Sequence, residues 1–239
     1  MFFLEDKIQN IFNILNKRIS WDDLVNYSYE DYTPILDYFD DLWNKYQLEY
    51  GATKAVVIPK NCNKVLKIPF HAFVYKTDEE DDEDYEQVDF INANSECGWD
   101  YCYDEFCKYE QSKEDGFSDF FPETEFYNYI QDGYSKIPVY IQERVNPFGY
   151  DVKTLKNSKS YNTARDLVST MNEHSYRVKR LDIYFITECI NFYGKEKTEK
   201  FIKYIFLEYP EIGSDLHNAN LGRRDDGSPV ILDFSGFRE

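Results

Sequence analysis

The chain has 239 residues, of which 42% are hydrophobic and 18% aromatic, with a formal charge of -18 at pH 7. That length supports one sizeable core or two small lobes, whereas the charge leaves no basic stripe for a phosphate backbone and argues against direct nucleic-acid binding. No run approaches the ~18 apolar residues of a membrane span, and Met1-Phe2-Phe3-Leu4 lacks a basic secretory start, so the expected location is the cytoplasm.

Residues 1–50 read as helices. Ile8, Ile11, Phe12, Leu15 and Ile19 recur at steps of three and four, Ser20 with Asp23 resembles a capping box, and Thr33-Pro34 opens a further run whose apolar face is Ile35, Phe39, Leu42, Trp43 and Tyr46. From Gly51 the period changes: Ala55-Val56-Val57-Ile58, a turn at 59–63, then Lys64-Val65-Leu66-Lys67-Ile68 predict a β-hairpin. The block Asp78 to Glu86 is nearly all acidic; it repels itself and predicts a disordered or mobile loop. Trp99 to Glu114 reads as a helix stopped by Gly116, with Cys102, Phe106 and Tyr109 at helical spacing. Pro138 to Val145 reads as a strand that runs into a Pro147-Gly149 loop, and residues 161–209 return to helix, broken at Gly194. Cys62, Cys97, Cys102, Cys107 and Cys189 form no Cys-x-x-Cys pair and read as free thiols.

The tail carries a spaced set of polar side chains. Asp215 lies five residues before Asn220, and Asn220 lies thirteen before Asp233, with Asp225-Asp226-Gly227 as a turn between them and Val230-Ile231-Leu232 as a buried strand that delivers Asp233. A carboxylate, an amide and a second carboxylate at this spacing resemble the protein-kinase-like superfamily, whose catalytic loop Asp-x-x-x-x-Asn is followed by an Asp-Phe-Gly segment. Val65-Leu66-Lys67 likewise resembles the family's Val-Ala-Ile-Lys strand.

The resemblance implies an α+β, two-lobed protein-kinase-like fold. It would have an N-terminal helical extension (1–50), a small lobe made of an antiparallel sheet and one helix (51–145), and a truncated, mostly helical large lobe (146–239). It implies ATP and Mg2+ as cofactors. Asp215 would serve the acceptor hydroxyl, Asn220 and Asp233 would hold the metal, and Lys67 would meet the α- and β-phosphates. Glu105 is chosen over Glu110 as the helix carboxylate that pairs with Lys67, the two being five apart and unable to share a face. The backbone at Glu143 and Val145 would meet the adenine edge, and His217 stands where many protein kinases have a lysine near the γ-phosphate.

The pattern departs from the family in four places. Gly51 is the only glycine of a phosphate-covering loop just before the second strand, Gly213-Ser214 replaces His-Arg, the metal segment reads Asp-Phe-Ser-Gly, and six residues follow Asp233. That short tail leads us to expect no activation segment and no conventional peptide platform. The implied function is an ATP-dependent phosphotransferase that acts on a partner protein, on itself or on a small molecule. The alternative is a kinase-like binding protein of phage or mobile-element type, whose acidic surface engages or inhibits a host factor.

Overall fold

A computed structural model describes residues 7–14, 46–50, 54–69, 72–77, 83–88, 99–132, 135–148, 152–173, 180–208 and 220–234. The architecture is mixed α+β, and the chain divides into two compact units: Met1–Cys107 with Glu123–Arg144, and Lys108–Pro122 with Val145–Glu239.

The first unit is built on a five-stranded antiparallel sheet. Its strands are β1 (Gln47–Tyr50), β2 (Lys54–Ile58), β3 (Lys64–Pro69), β7 (Thr124–Asp132) and β8 (Ser135–Glu143), in the order β1-β2-β3-β8-β7. The predicted hairpin is present, with Asn61 at φ 56 in its turn, a left-handed conformation that asparagine tolerates. Register fixes the faces: Val56 opposes Lys67 and Lys67 opposes Tyr140, while Val57 opposes Leu66 and Leu66 opposes Ile141. Because side chains alternate along a strand, Ala55, Val57, Leu66, Ile68, Val139 and Ile141 share one buried apolar face. Lys54, Lys67, Tyr140, Gln142 and Thr124 share the other, and all five are buried. Residues 7–14 are helical, as their apolar spacing predicts, and Phe12 meets Tyr127 edge-on at 5.5 Å.

A second sheet, ordered β5-β4-β6, joins β4 (Ala72–Thr77), β5 (Glu83–Val88) and β6 (Trp99–Asp100). Helix α2 (Tyr101–Glu114) follows directly, numbered after the helix at 7–14. Asp100 caps it, its Oδ1 accepting the Tyr103 N–H at 2.8 Å. Gly116, at φ 79, lets the chain turn away at the other end, and the Phe117 N–H reaches back to the Ser112 carbonyl at 2.7 Å.

The second unit holds α3 (Val152–Lys156), α4 (Lys159–Glu173), α5 (Arg180–Tyr193) and α6 (Lys195–Glu208). It also contains a 3-10 turn (Ser118–Phe120) and a small sheet, β11-β10-β9, of Pro229–Ile231, Leu221–Arg223 and Asn146–Pro147. Gly194, at φ 85, separates α5 from α6 where the sequence predicts a break. An aromatic core fills the unit: Phe120 stacks on Phe201 at 3.8 Å, and Phe121 meets Phe234 at 4.8 Å.

Three expectations need correction. Residues 47–50 form a strand rather than the end of a helix, because Leu48 and Tyr50 alternate with Gln47 and Glu49 and β2 offers a full partner, Gln47 opposing Ile58. The acidic block is not all loop: Glu83–Glu86 lie in β5, whose ladder to the β-prone Phe73-Val74-Tyr75 run outweighs the charge repulsion, with Lys76 in register opposite Asp84. Helix α2 starts at Tyr101, since Trp99 and Asp100 pair with Phe73 and Ala72 of β4. The four described cysteines, Cys62, Cys102, Cys107 and Cys189, are free.

Candidate functional site

In the first unit the polar face of the sheet meets a carboxylate from α2. Lys67 on β3 donates from Nζ to Glu105 Oε2 at 2.6 Å, and both side chains are almost wholly excluded from solvent, at 4% and 0% exposed. The sequence alone left Glu105 and Glu110 in competition, and the geometry separates them. Glu105 faces the sheet, whereas Glu110 pairs with Lys113 on the half-exposed outer side of α2.

Two further side chains complete this cluster. Lys54, at the start of β2, donates its ammonium to the other oxygen of the same carboxylate, Glu105 Oε1. Gln142 on β8 donates from Nε2 to Thr124 Oγ1 at 3.0 Å and to Glu105 Oε2 at 3.4 Å, and its own Oε1 is a buried acceptor that no hydrogen bond satisfies. Asp100 lies at the edge of the cluster. Burial pushes its carboxyl up to about 7, against the lowering effect of the Tyr103 and Cys102 amides; Glu105 adds to the rise and Lys54 opposes it.

Lys54 and Gln142 were not singled out from the sequence, and the missing signal is one of register. Lys54 adjoins the Gly51-Ala52-Thr53 stretch that reads as loop. Once Val56 is paired with Lys67, however, alternation places Lys54 on the lysine's own face.

In the second unit, the β10–β11 hairpin sets up the proposed metal residues. Arg223 pairs with Pro229 and Leu221 with Ile231 across the Asp225-Asp226-Gly227 turn, where Gly227 adopts φ 93. One step beyond the strands, the Leu232 N–H donates to the Asn220 carbonyl at 2.7 Å. Asn220 and the residue just before Asp233 are therefore bonded neighbours at the open end of the hairpin. The side chains of Asn220 and Asp233 carry an amide oxygen and a carboxylate, hard oxygen donors of the kind that suit a magnesium ion keeping several of its waters. Among the described residues, no group of three or more His, Cys, Asp or Glu side chains stands together as a metal cluster. Phe234, the residue after Asp233, is tethered: buried Lys108, on the C-terminal half of α2, donates to the Phe234 carbonyl at 3.2 Å, and Phe234 is buried in the aromatic core.

The chain passes from the first unit to the second between Arg144 and Val145. Glu143 ends β8, and its amide already donates to the Glu123 carbonyl at 2.7 Å. Val145 packs so tightly on Gly222 that a Cβ there would lie 2.5 Å from Val145 Cγ2. Asp215, His217 and Gly51 lie outside the described residues.

Among the described residues no helix is long and apolar enough to cross a membrane. No protein-family model matches the chain, and comparison with curated proteins and with solved structures finds no significant match.

Proposed function

We propose that this protein is an ATP-dependent phosphotransferase of protein-kinase-like type, using Mg2+ and acting on a partner protein or on itself. The observation that carries the reading is the buried Lys67–Glu105 ion pair, which joins a strand lysine to a helix carboxylate at 2.6 Å. Desolvating two charges is costly, and a core of apolar residues would serve stability as well. A lysine held rigidly by a carboxylate is, however, what phosphoryl transfer uses to fix the nucleotide's phosphates. The hairpin that brings Asn220 beside the residue preceding Asp233 gives independent support.

On this reading Asn220 and Asp233 hold the metal, which when bound neutralises charge on the phosphates. Lys67 contacts the α- and β-phosphates, and Glu105 fixes the direction of its ammonium. Asp215 accepts the proton of the acceptor hydroxyl as the acceptor's oxygen bonds to the γ-phosphorus and the bond to the bridging oxygen breaks, releasing ADP. The work is positioning and electrostatics.

A second reading, a kinase-like binding protein without catalysis, draws on the charge of -18, which suits a basic partner surface. Incubation with γ-labelled ATP and magnesium separates the two. The phosphotransferase reading expects label on the protein or a co-purified partner, abolished by Asp215→Asn with the circular dichroism spectrum unchanged. Label that survives the substitution, or none at all, contradicts it.

A further inference from the structure

We propose that Lys54 is a second phosphate-contacting lysine, so that the triphosphate is met by a pair of ammonium groups rather than by Lys67 alone. The inference rests on the nucleotide reading above and extends it to a residue outside the motif set.

Lys54 and Lys67 stand on adjacent strands, on the same face of the sheet, and grasp the two oxygens of one carboxylate, Glu105 Oε1 and Oε2. Their exposures are almost the same, 7% and 4%. The two lysines thus share a glutamate, a sheet face and a degree of burial. Two ammonium groups drawn to the two oxygens of Glu105 repel one another in a medium of low dielectric constant. An incoming polyanion relieves that repulsion, and one that reaches the first ammonium is within the field of the second. Each ammonium carries three donors and acts as a compact point charge toward phosphate oxygens. A di- or triphosphate, with several oxygens to offer, suits such a pair better than a monoanion does. The extra lysine also bears on a weak point of the sequence, the single glycine, Gly51, ahead of β2. Lys54 supplies charge to the phosphates next to a segment with few glycines to supply backbone amides.

The test uses the wild-type protein and an acyl-phosphate derivative of ATP. A lysine Nζ beside the phosphates attacks the mixed anhydride, takes the acyl group and releases ATP, and peptide mass spectrometry locates the product. The proposal expects acyl groups on both Lys54 and Lys67, each lost when free ATP and magnesium are in excess. Label confined to Lys67 and competed by ATP overturns the proposal while the nucleotide reading stands. Label on neither lysine, or label that ATP does not displace, overturns both. Equilibrium titration with ATP and magnesium adds a second readout: Lys54→Met and Lys67→Met should each weaken binding roughly tenfold or more. Binding by Lys54→Met that equals the wild type overturns the paired-lysine arrangement.

Discussion

Glu105 is fully buried and holds two ammonium groups, so its removal takes a buried carboxylate away from both. Breaking a buried pair from one side costs about 3–5 kcal/mol. Glu110 and Lys113 are each 45% exposed, and exposed pairs contribute ~0–1 kcal/mol. Urea unfolding should therefore show Glu105→Gln strongly destabilised and Glu110→Gln close to wild type. Equal losses would mean that the carboxylate facing the sheet has no special standing.

Asp100 gives a pH signature at the same scale. Its carboxyl is held above the ordinary value of 3.8, at about 7, so the folded state binds this proton more tightly than the unfolded chain does. The stability gained in this way is fully present below the unfolded value and is lost as the pH rises through the folded one. Asparagine can still cap the helix but cannot ionise. Relative to Asp100→Asn, the wild type should lose up to ~4 kcal/mol of unfolding free energy between about pH 4 and pH 8. Parallel stability curves for the two proteins would contradict the assignment.

At the scale of elements, the β10–β11 hairpin depends on Gly222 as closely as on its turn. A methyl group at that position would meet the stiff, β-branched Val145 at 2.5 Å and the Asn146 carbonyl at 3.3 Å, and overpacking of this kind costs about 1–3 kcal/mol. Gly222→Ala should lower the unfolding midpoint, and adding Val145→Ala should recover much of the loss. Absence of recovery would place the strain elsewhere.

The elements also explain what could be read from the sequence. The hairpin was legible because Asp225-Asp226-Gly227 is strong turn chemistry and Val230-Ile231 a short buried run. The break between α5 and α6 was legible because Gly194 interrupts two apolar stripes. Helix α2 was legible in its span but not in its start, which is decided by pairing with β4, a long-range event that leaves no local mark. Strand β1 was masked by the helical apolar spacing just before it, although Tyr46, Leu48 and Tyr50 already alternate. Lys67 could be found from its strand and its motif. Its carboxylate could be narrowed only to two candidates, and Lys54 could not be found at all without the β2–β3 register.

For the whole molecule, the described residues establish a mixed α+β protein of two compact units. The first holds the Lys54–Glu105–Lys67 cluster, and the second holds the β10–β11 hairpin, which Asn220 precedes and Leu232-Asp233 follow. The proposed phosphotransfer needs Lys67, Asn220 and Asp233 to act on the same nucleotide. A chain with a charge of -18 opposes the approach of a free triphosphate; on the proposed function, magnesium should therefore be needed for nucleotide binding as well as for chemistry.

The most direct measurement is the thermal unfolding midpoint with ATP, with and without magnesium, in the wild type, Lys67→Met and Asp233→Asn. A ligand that binds only the folded state stabilises it by roughly 2.7 kcal/mol at a hundredfold excess over its dissociation constant. The account predicts a clear magnesium-dependent rise for the wild type that is lost in each variant. A wild-type midpoint indifferent to ATP and magnesium, or a rise that both variants retain, would contradict it.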